Sequence, residues 1–110
     1  MSTSPIASQR PSAAAQGELS RATHDFLTAL ASPTRQRMML LFASGAELSV
    51  GAVAERAGVG QSTASHQLQL LRRGGIVTSR RDGKVVLYRA DRDGMSQALG
   101  DLQDYLKVCC

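Results

Sequence analysis

The run from Ser49 to Ala90 limits most strongly what this chain can fold into. Ser49 is a helix-capping residue, and Val50, Val53, Ala54 and Ala57 follow it at helical spacing, with Glu55 and Arg56 outward. This predicts a short helix, the third along the chain, which Gly58-Val59-Gly60 ends abruptly. A fourth helix is expected from Gln61 to Arg73, with Ala64, Leu68 and Leu71 inward and Gly74-Gly75 as its stop. Short helix, glycine-bearing turn and second helix make a helix-turn-helix. The period then changes. Ile76-Val77 and Val85-Val86-Leu87-Tyr88 flank Arg80-Arg81-Asp82-Gly83-Lys84, and an Asp-Gly turn between two such runs predicts a hairpin with a basic tip.

A helix-turn-helix followed at once by a basic hairpin is a winged helix, and the remaining segments fit around one. Leu19, Ala22, Thr23, Phe26 and Leu30 predict a first helix from near Glu18. Ser32-Pro33 starts a second, since Ser caps free amides and Pro suits the first turn; its stripe is Met38, Leu41 and Phe42, and it should run to just before Gly45. Met38 and Met39 read as core filling. The last helix is expected from about Arg92 to Lys107, with Met95, Leu99, Leu102, Leu106 and Cys109 on one stripe. The expected fold is therefore mainly α with a β-hairpin, in the order α-α-α-α-β-β-α. Its 110 residues suit one small domain, spanning 18–108, with a Ser-, Ala-, Pro- and Gln-rich disordered arm over 1–17 and the cysteine pair at 109–110. A stripe left over after a compact winged helix predicts a homodimer through the terminal helices, using Leu19, Phe26, Met95, Leu99, Leu102 and Leu106. The alternative is packing of that stripe on the chain's own first helix.

Charge points to the partner. The formal net charge is +4, yet residues 61–90 hold Arg72, Arg73, Arg80, Arg81, Lys84 and Arg89 against Asp82 alone, while the rest of the chain is nearly neutral. Concentration of positive charge in one segment is expected of a nucleic-acid footprint. Only four aromatic residues (Phe26, Phe42, Tyr88 and Tyr105) argue against stacking on single strands and favour duplex DNA. In the fourth helix Gln61, Ser62, Thr63, Ser65, His66 and Gln67 are polar and uncharged, suited to base edges in the major groove, and Ser49 is grouped with them as a DNA contact. Arg80, Arg81 and Lys84 are expected on the phosphate backbone or in the minor groove. His66 reads as a DNA-facing or partly buried donor and His24 as a surface or core-edge residue, neither as a metal ligand. A winged helix that binds protein or structured RNA is the alternative partner class. No apolar run approaches the roughly 18 residues of a membrane span, and the absence of a secretory pattern predicts a cytoplasmic protein. No nucleophile–base pairing, glycine-rich phosphate loop or metal triad is visible, so an enzyme is not expected.

Five segments stand in order: Ala29-Leu30-Ala31-Ser32-Pro33-Thr34-Arg35, Glu47-Leu48-Ser49-Val50, Gly60-Gln61-Ser62-Thr63-Ala64-Ser65-His66-Gln67-Leu68, Leu71-Arg72-Arg73-Gly74-Gly75-Ile76-Val77 and Gly83-Lys84-Val85-Val86-Leu87-Tyr88. Together, over about residues 19–106, the chain resembles the ArsR/SmtB family of bacterial winged-helix repressors. The resemblance implies a homodimer that sits on operator DNA and leaves it when an effector binds. It also exposes departures. Arsenic-responsive relatives often carry Cys-Val-Cys in the third helix, where this chain has Ser49 and Gly51. Zinc-responsive relatives place carboxylates and histidines along the last helix, which here has no histidine, leaving Asp91, Asp93, Asp101 and Asp104 as poor zinc ligands.

Cys109 and Cys110 remain as the sensing candidates. Neighbours on a helix point about 100° apart, so the pair can share one ion only if the last turn unwinds. Two adjacent thiolates suit a soft thiophile, trivalent arsenic or antimony, with any third thiolate coming from a second chain or a small thiol. Some members of the family carry arsenic-binding cysteines in this last helix. Two other readings use the same residues: a dithiol switch answering oxidants or reactive sulfur, and no sensing at all, with Cys109 merely ending the apolar stripe.

Overall fold

Residues 17–110 are described by the computed structural model; the arm expected over residues 1–17 lies, apart from Gly17, outside them. The described elements are α1 (Arg21–Leu30), α2 (Pro33–Met39) running into a 3-10 segment (Leu40–Gly45), β1 (Leu48–Ser49), α3 (Val50–Ala57), α4 (Gln61–Arg73), β2 (Val77–Asp82), β3 (Val85–Ala90) and α5 (Arg92–Cys109). The three strands form one antiparallel sheet in the order β1-β3-β2. The fold is the winged helix-turn-helix that the sequence predicts.

Local chemistry explains most of the boundaries. Ser32 and Ser49 accept from the backbone N–H of Arg35 and Ala52, opening α2 and α3, and Pro33 sits in the first turn of α2. The first helix starts later than its apolar spacing implies. Ser20 is the cap, accepting from Thr23 N–H at 3.1 Å, so Glu18 and Leu19 lie outside α1. The single second helix expected up to Gly45 is instead α2 plus a 3-10 turn that breaks at Ala43 (ψ 151°) and Ser44 (φ 63°). That break turns the chain toward β1, a two-residue strand that hydrophobic runs could not announce; Leu48 pairs with Tyr88 and Ser49 with Leu87. In the hairpin the ladder continues to Asp82↔Val85, which makes Gly83-Lys84 the turn, one step beyond the expected Asp82-Gly83. Gly83 takes φ 65°, as a two-residue turn with glycine at its first central position requires.

One core joins these elements. Phe26 and Ala29 of α1, Met38 of α2, Phe42, Val53 of α3, Ala64, Leu68 and Leu71 of α4, and Ile76, Val77 and Tyr88 of the sheet region are all buried in it. Phe26 corrects an expectation. At 3% exposure it is consumed by the protomer's own core and has no surface left to offer a second chain.

The junction between α4 and α5 fixes how the last helix leaves the domain. Gly75, in the left-handed region at φ 76°, closes α4: Gly75 N–H donates to the Arg72 carbonyl and Ile76 N–H to the Leu71 carbonyl. Asp91 N–H then donates to the Ile76 carbonyl at 2.8 Å, and the Asp91 carboxylate accepts from Gly94 N–H, capping α5. Gly94 packs so closely that a Cβ there would lie 2.6 Å from the Gly75 carbonyl oxygen and 2.7 Å from Asp91 Oδ2. Beyond this root α5 buries Ala98 and half-buries Met95 and Leu102, but Leu99 and Leu106 are each 52% exposed and Val108 is 70% exposed. Leu19 is half-buried. Among the described residues no helix is long and apolar enough to cross a membrane.

Candidate nucleic-acid interface

The inward direction of α4 is set by Ala64, Leu68 and Leu71, all fully buried. At 100° per residue, the opposite face is Ser62, His66, Gln69 and Arg73, flanked by Thr63 and Arg72. All six are exposed, as is Gln61 in the first turn. Three of them, Gln69, Arg72 and Arg73, were not among the expected contacts. The signal that finds them is the same period that finds the core, read on the far side of the helix. Ser65 is half-buried on the flank.

α4 begins without a side-chain cap. Gly60 is its N-cap, so its first-turn N–H groups receive no side-chain acceptor, whereas those of α3 are served by Ser49. Uncapped N–H groups at the positive end of a 13-residue helix suit an anionic oxygen. Ser49, expected as a DNA contact, has a different employment: its hydroxyl accepts from Ala52 N–H at 3.1 Å, and its backbone pairs with β3.

Gln67 is also engaged inside the protomer. Arg35 Nη1 donates to Gln67 Oε1 at 2.8 Å, while Nε donates to the Ala29 carbonyl at 2.9 Å and Nη2 to the Thr28 carbonyl at 2.8 Å. A guanidinium has donors only, so the Gln67 oxygen must face it, and one arginine ties the last turn of α1 to the middle of α4. Gln67 is therefore held on the flank of α4 rather than on its outer face.

The wing divides its charges. Arg81 and Lys84 are exposed near the tip, and none of their side-chain nitrogens has a hydrogen-bond partner among the described residues. Arg80 is not in that position. Its Nε donates to Glu47 Oε2 at 2.6 Å and its Nη2 to Glu47 Oε1 at 2.8 Å, a two-point ion pair between β2 and the segment entering β1. The hydrogen bond from Arg80, and then its charge, hold the Glu47 carboxyl below its ordinary value and raise the guanidinium above its own.

The two cysteines stand at the far end of α5, both exposed. Cys109 is the last helical residue, and Cys110 N–H still donates to the Leu106 carbonyl at 3.3 Å. Their sulfurs are joined as a vicinal disulfide. The expected unwinding of the last turn is not needed for the sulfurs to meet, since the Cys110 N–H to Leu106 carbonyl bond is kept, and in this form neither sulfur is a thiolate. Among the described residues no group of three or more His, Cys, Asp or Glu side chains comes together as a metal-binding set, and His24 and His66 are each exposed.

Comparison with known proteins agrees with this architecture. A family model described as a helix-turn-helix domain matches residues 30–80. The chain is 37% identical over 79 residues to the nodulation protein NolR of Rhizobium meliloti, covering 72% of this chain and 64% of that protein. It is 36% identical over 78 residues to the biofilm growth-associated repressor of Xylella fastidiosa, covering 71% of this chain and 68% of that one. Among solved structures, the homodimeric winged helix-turn-helix DNA-binding domain of a possible ArsR-family regulator from Mycobacterium bovis superposes with a TM-score of 0.66 at 29% identity, over 93% of this chain and 91% of that one. With its fold, its helix-turn-helix and these relatives, the chain belongs to the ArsR/SmtB family of winged helix-turn-helix transcriptional repressors.

Proposed function

We propose that this repressor is a homodimer that binds duplex operator DNA in the cytoplasm and releases it when arsenite or antimonite is captured by the reduced Cys109–Cys110 pair. The outer face of α4 (Ser62, Thr63, His66, Gln69 and Arg73) reads base edges, its first-turn N–H groups and Arg72 meet phosphate, and Arg81 and Lys84 of the wing add sequence-independent affinity. Two such helices related by a dimer axis address half-sites about one helical turn apart. The solved relative described as a homodimeric DNA-binding domain supports both partners. The unpartnered leucines of α5, Leu99 and Leu106, supply the apolar area that a second copy covers.

The observation that carries the effector assignment is the meeting of the two sulfurs at the end of that same helix. A dithiol that can close on itself can also close on a trivalent thiophile, and its place on α5 makes dimer geometry the quantity it alters. The disulfide itself favours a second reading, in which an oxidant or reactive sulfur species takes two electrons from the pair while both thiols lose their protons. Binding to the chain's own upstream DNA, followed by gel shift under reducing conditions, tests both. Arsenite is expected to release the DNA from the wild-type protein and not from the Cys109→Ser/Cys110→Ser variant, which should bind as tightly as wild type. Release by oxidant alone, with no response to arsenite, selects the redox reading. A double variant that still responds to either treatment removes the pair from the mechanism.

A further inference from the structure

Among the described wing cations Arg80 alone is held in a two-point ion pair, and its partner, Glu47, lies 33 positions away in sequence; Arg89 of β3 acts on the same carboxylate through its charge only. The pair is a two-point fork, with 2.6 and 2.8 Å contacts, so both Nε and one terminal nitrogen of Arg80 are committed to the carboxylate. It is also accessible: the Arg80 side chain is 55% exposed and that of Glu47 28%. Ion pairs of this exposure are weak, because each group keeps much of its hydration. A phosphate is a carboxylate's direct competitor for a guanidinium fork. Glu47 sits where the helix-turn-helix begins, at the entry to β1 and α3, while Arg80 belongs to the hairpin. The contact therefore spans the two parts that would hold DNA.

We infer that Glu47 is an internal counter-ion that withholds Arg80 from DNA phosphates and so sets the balance between sequence-independent and sequence-specific binding. This rests on the DNA-binding reading above. With Arg80 occupied, the wing engages phosphate through Arg81 and Lys84, and a larger share of the total affinity comes from the face of α4. With Glu47 neutralised, Arg80 is released, every duplex binds more tightly, and discrimination falls.

The test is fluorescence anisotropy on a duplex of scrambled sequence, titrated with KCl. It compares wild type, Glu47→Gln, Arg80→Gln, the Glu47→Gln/Arg80→Gln double variant and Lys84→Gln, each checked for folding by circular dichroism. Glu47→Gln is expected to tighten binding several-fold and to steepen the slope of log K against log salt by about 0.9, one added phosphate contact. Arg80→Gln should leave the slope at the wild-type value, because that cation is not counted there. Lys84→Gln should flatten the slope by about 0.9. The double variant should return to the wild-type slope. If the Glu47→Gln gain persists in the double variant, the effect is the carboxylate's repulsion of DNA and not release of Arg80, and the inference falls. It falls equally if Arg80→Gln flattens the slope as Lys84→Gln does. Arg80→Gln also guards against a wing that has merely come loose, since it breaks the same bridge without freeing a cation. Wild-type protein that binds no duplex even at low salt overturns the DNA-binding reading itself, a result distinct from either of these.

Discussion

α4 and α5 carry apolar stripes of the same period and spend them differently. In α4 the stripe of Ala64, Leu68 and Leu71 is fully buried within the protomer, and its polar remainder is set out as a face. In α5 only Ala98 is buried, while Leu99 and Leu106 stand half in solvent. A stripe at helical spacing says that a helix has an apolar side; it does not say whether the chain itself supplies the cover. The core of a domain this small is filled by α1, α3, α4 and the sheet, which leaves α5 with area to spare.

The largest expected effect breaks that comparison at its buried end. Leu68→Ala should cost about 2–5 kcal/mol of stability, because the void it leaves is enclosed on all sides. Urea unfolding at two protein concentrations should give the same loss at both. Leu106→Glu is expected to leave the protomer's helix content unchanged and instead to abolish self-association in sedimentation analysis. If Leu106→Glu unfolds the protomer as Leu68→Ala weakens it, the two stripes are equivalent and the contrast is wrong.

A smaller effect belongs to the point where the two helices meet. Gly94→Ala forces a Cβ against the Gly75 carbonyl and the Asp91 carboxylate, and should cost about 1–3 kcal/mol, read as a lowered urea midpoint. The smallest lies outside both helices, in the exposed pair of Glu47 and Arg80. The Glu47 pKa is lowered in the folded state, so what the pair adds to stability is complete at neutral pH and is lost as pH falls through the folded-state value, below the usual carboxylate range. The melting temperatures of wild type and Glu47→Gln should therefore differ slightly at pH 7 and converge on acidification; a gap that widens in acid would contradict the sign.

What the sequence disclosed follows the range of the interactions involved. The α3–turn–α4 unit, the hairpin and α5 rest on contacts within a few residues (caps, glycine stops, 3.6- and 2-residue periods), and all were legible. β1 was not, since two residues carry no period and its pairing partner on β3 is about forty positions away. The break at Ser44 was hidden because a serine in the left-handed region has no composition cue. Within the candidate site, the outer face of α4 was partly legible. Gln69 and Arg73 join that face only in projection around the helix axis, whereas along the sequence the polar residues stand out as the run Gln61–Gln67. In the sequence Gln67 and Arg80 look free to meet DNA, because their intramolecular partners, Arg35 and Glu47, lie 32 and 33 positions distant. Such side-chain pairs arise only after the fold has brought its segments together.

The close seating of Gly94 on Gly75 has a mechanical meaning. α5 has 18 residues and so measures about 27 Å, fixed at one end by that glycine contact and the Asp91–Ile76 hydrogen bond, with the two sulfurs at the other. Ala98 is buried and Met95 and Leu102 half-buried against the protomer, so α5 turns about that root only together with the surface it packs on. On that length a swing of roughly 10° about the root carries the tip some 5 Å, and conversely a modest sideways pull on the tip arrives at the root as torque. Under the sensing role proposed above, the bend that Gly94 makes beside Arg72 and Arg73 is where a pull on the sulfurs would be delivered.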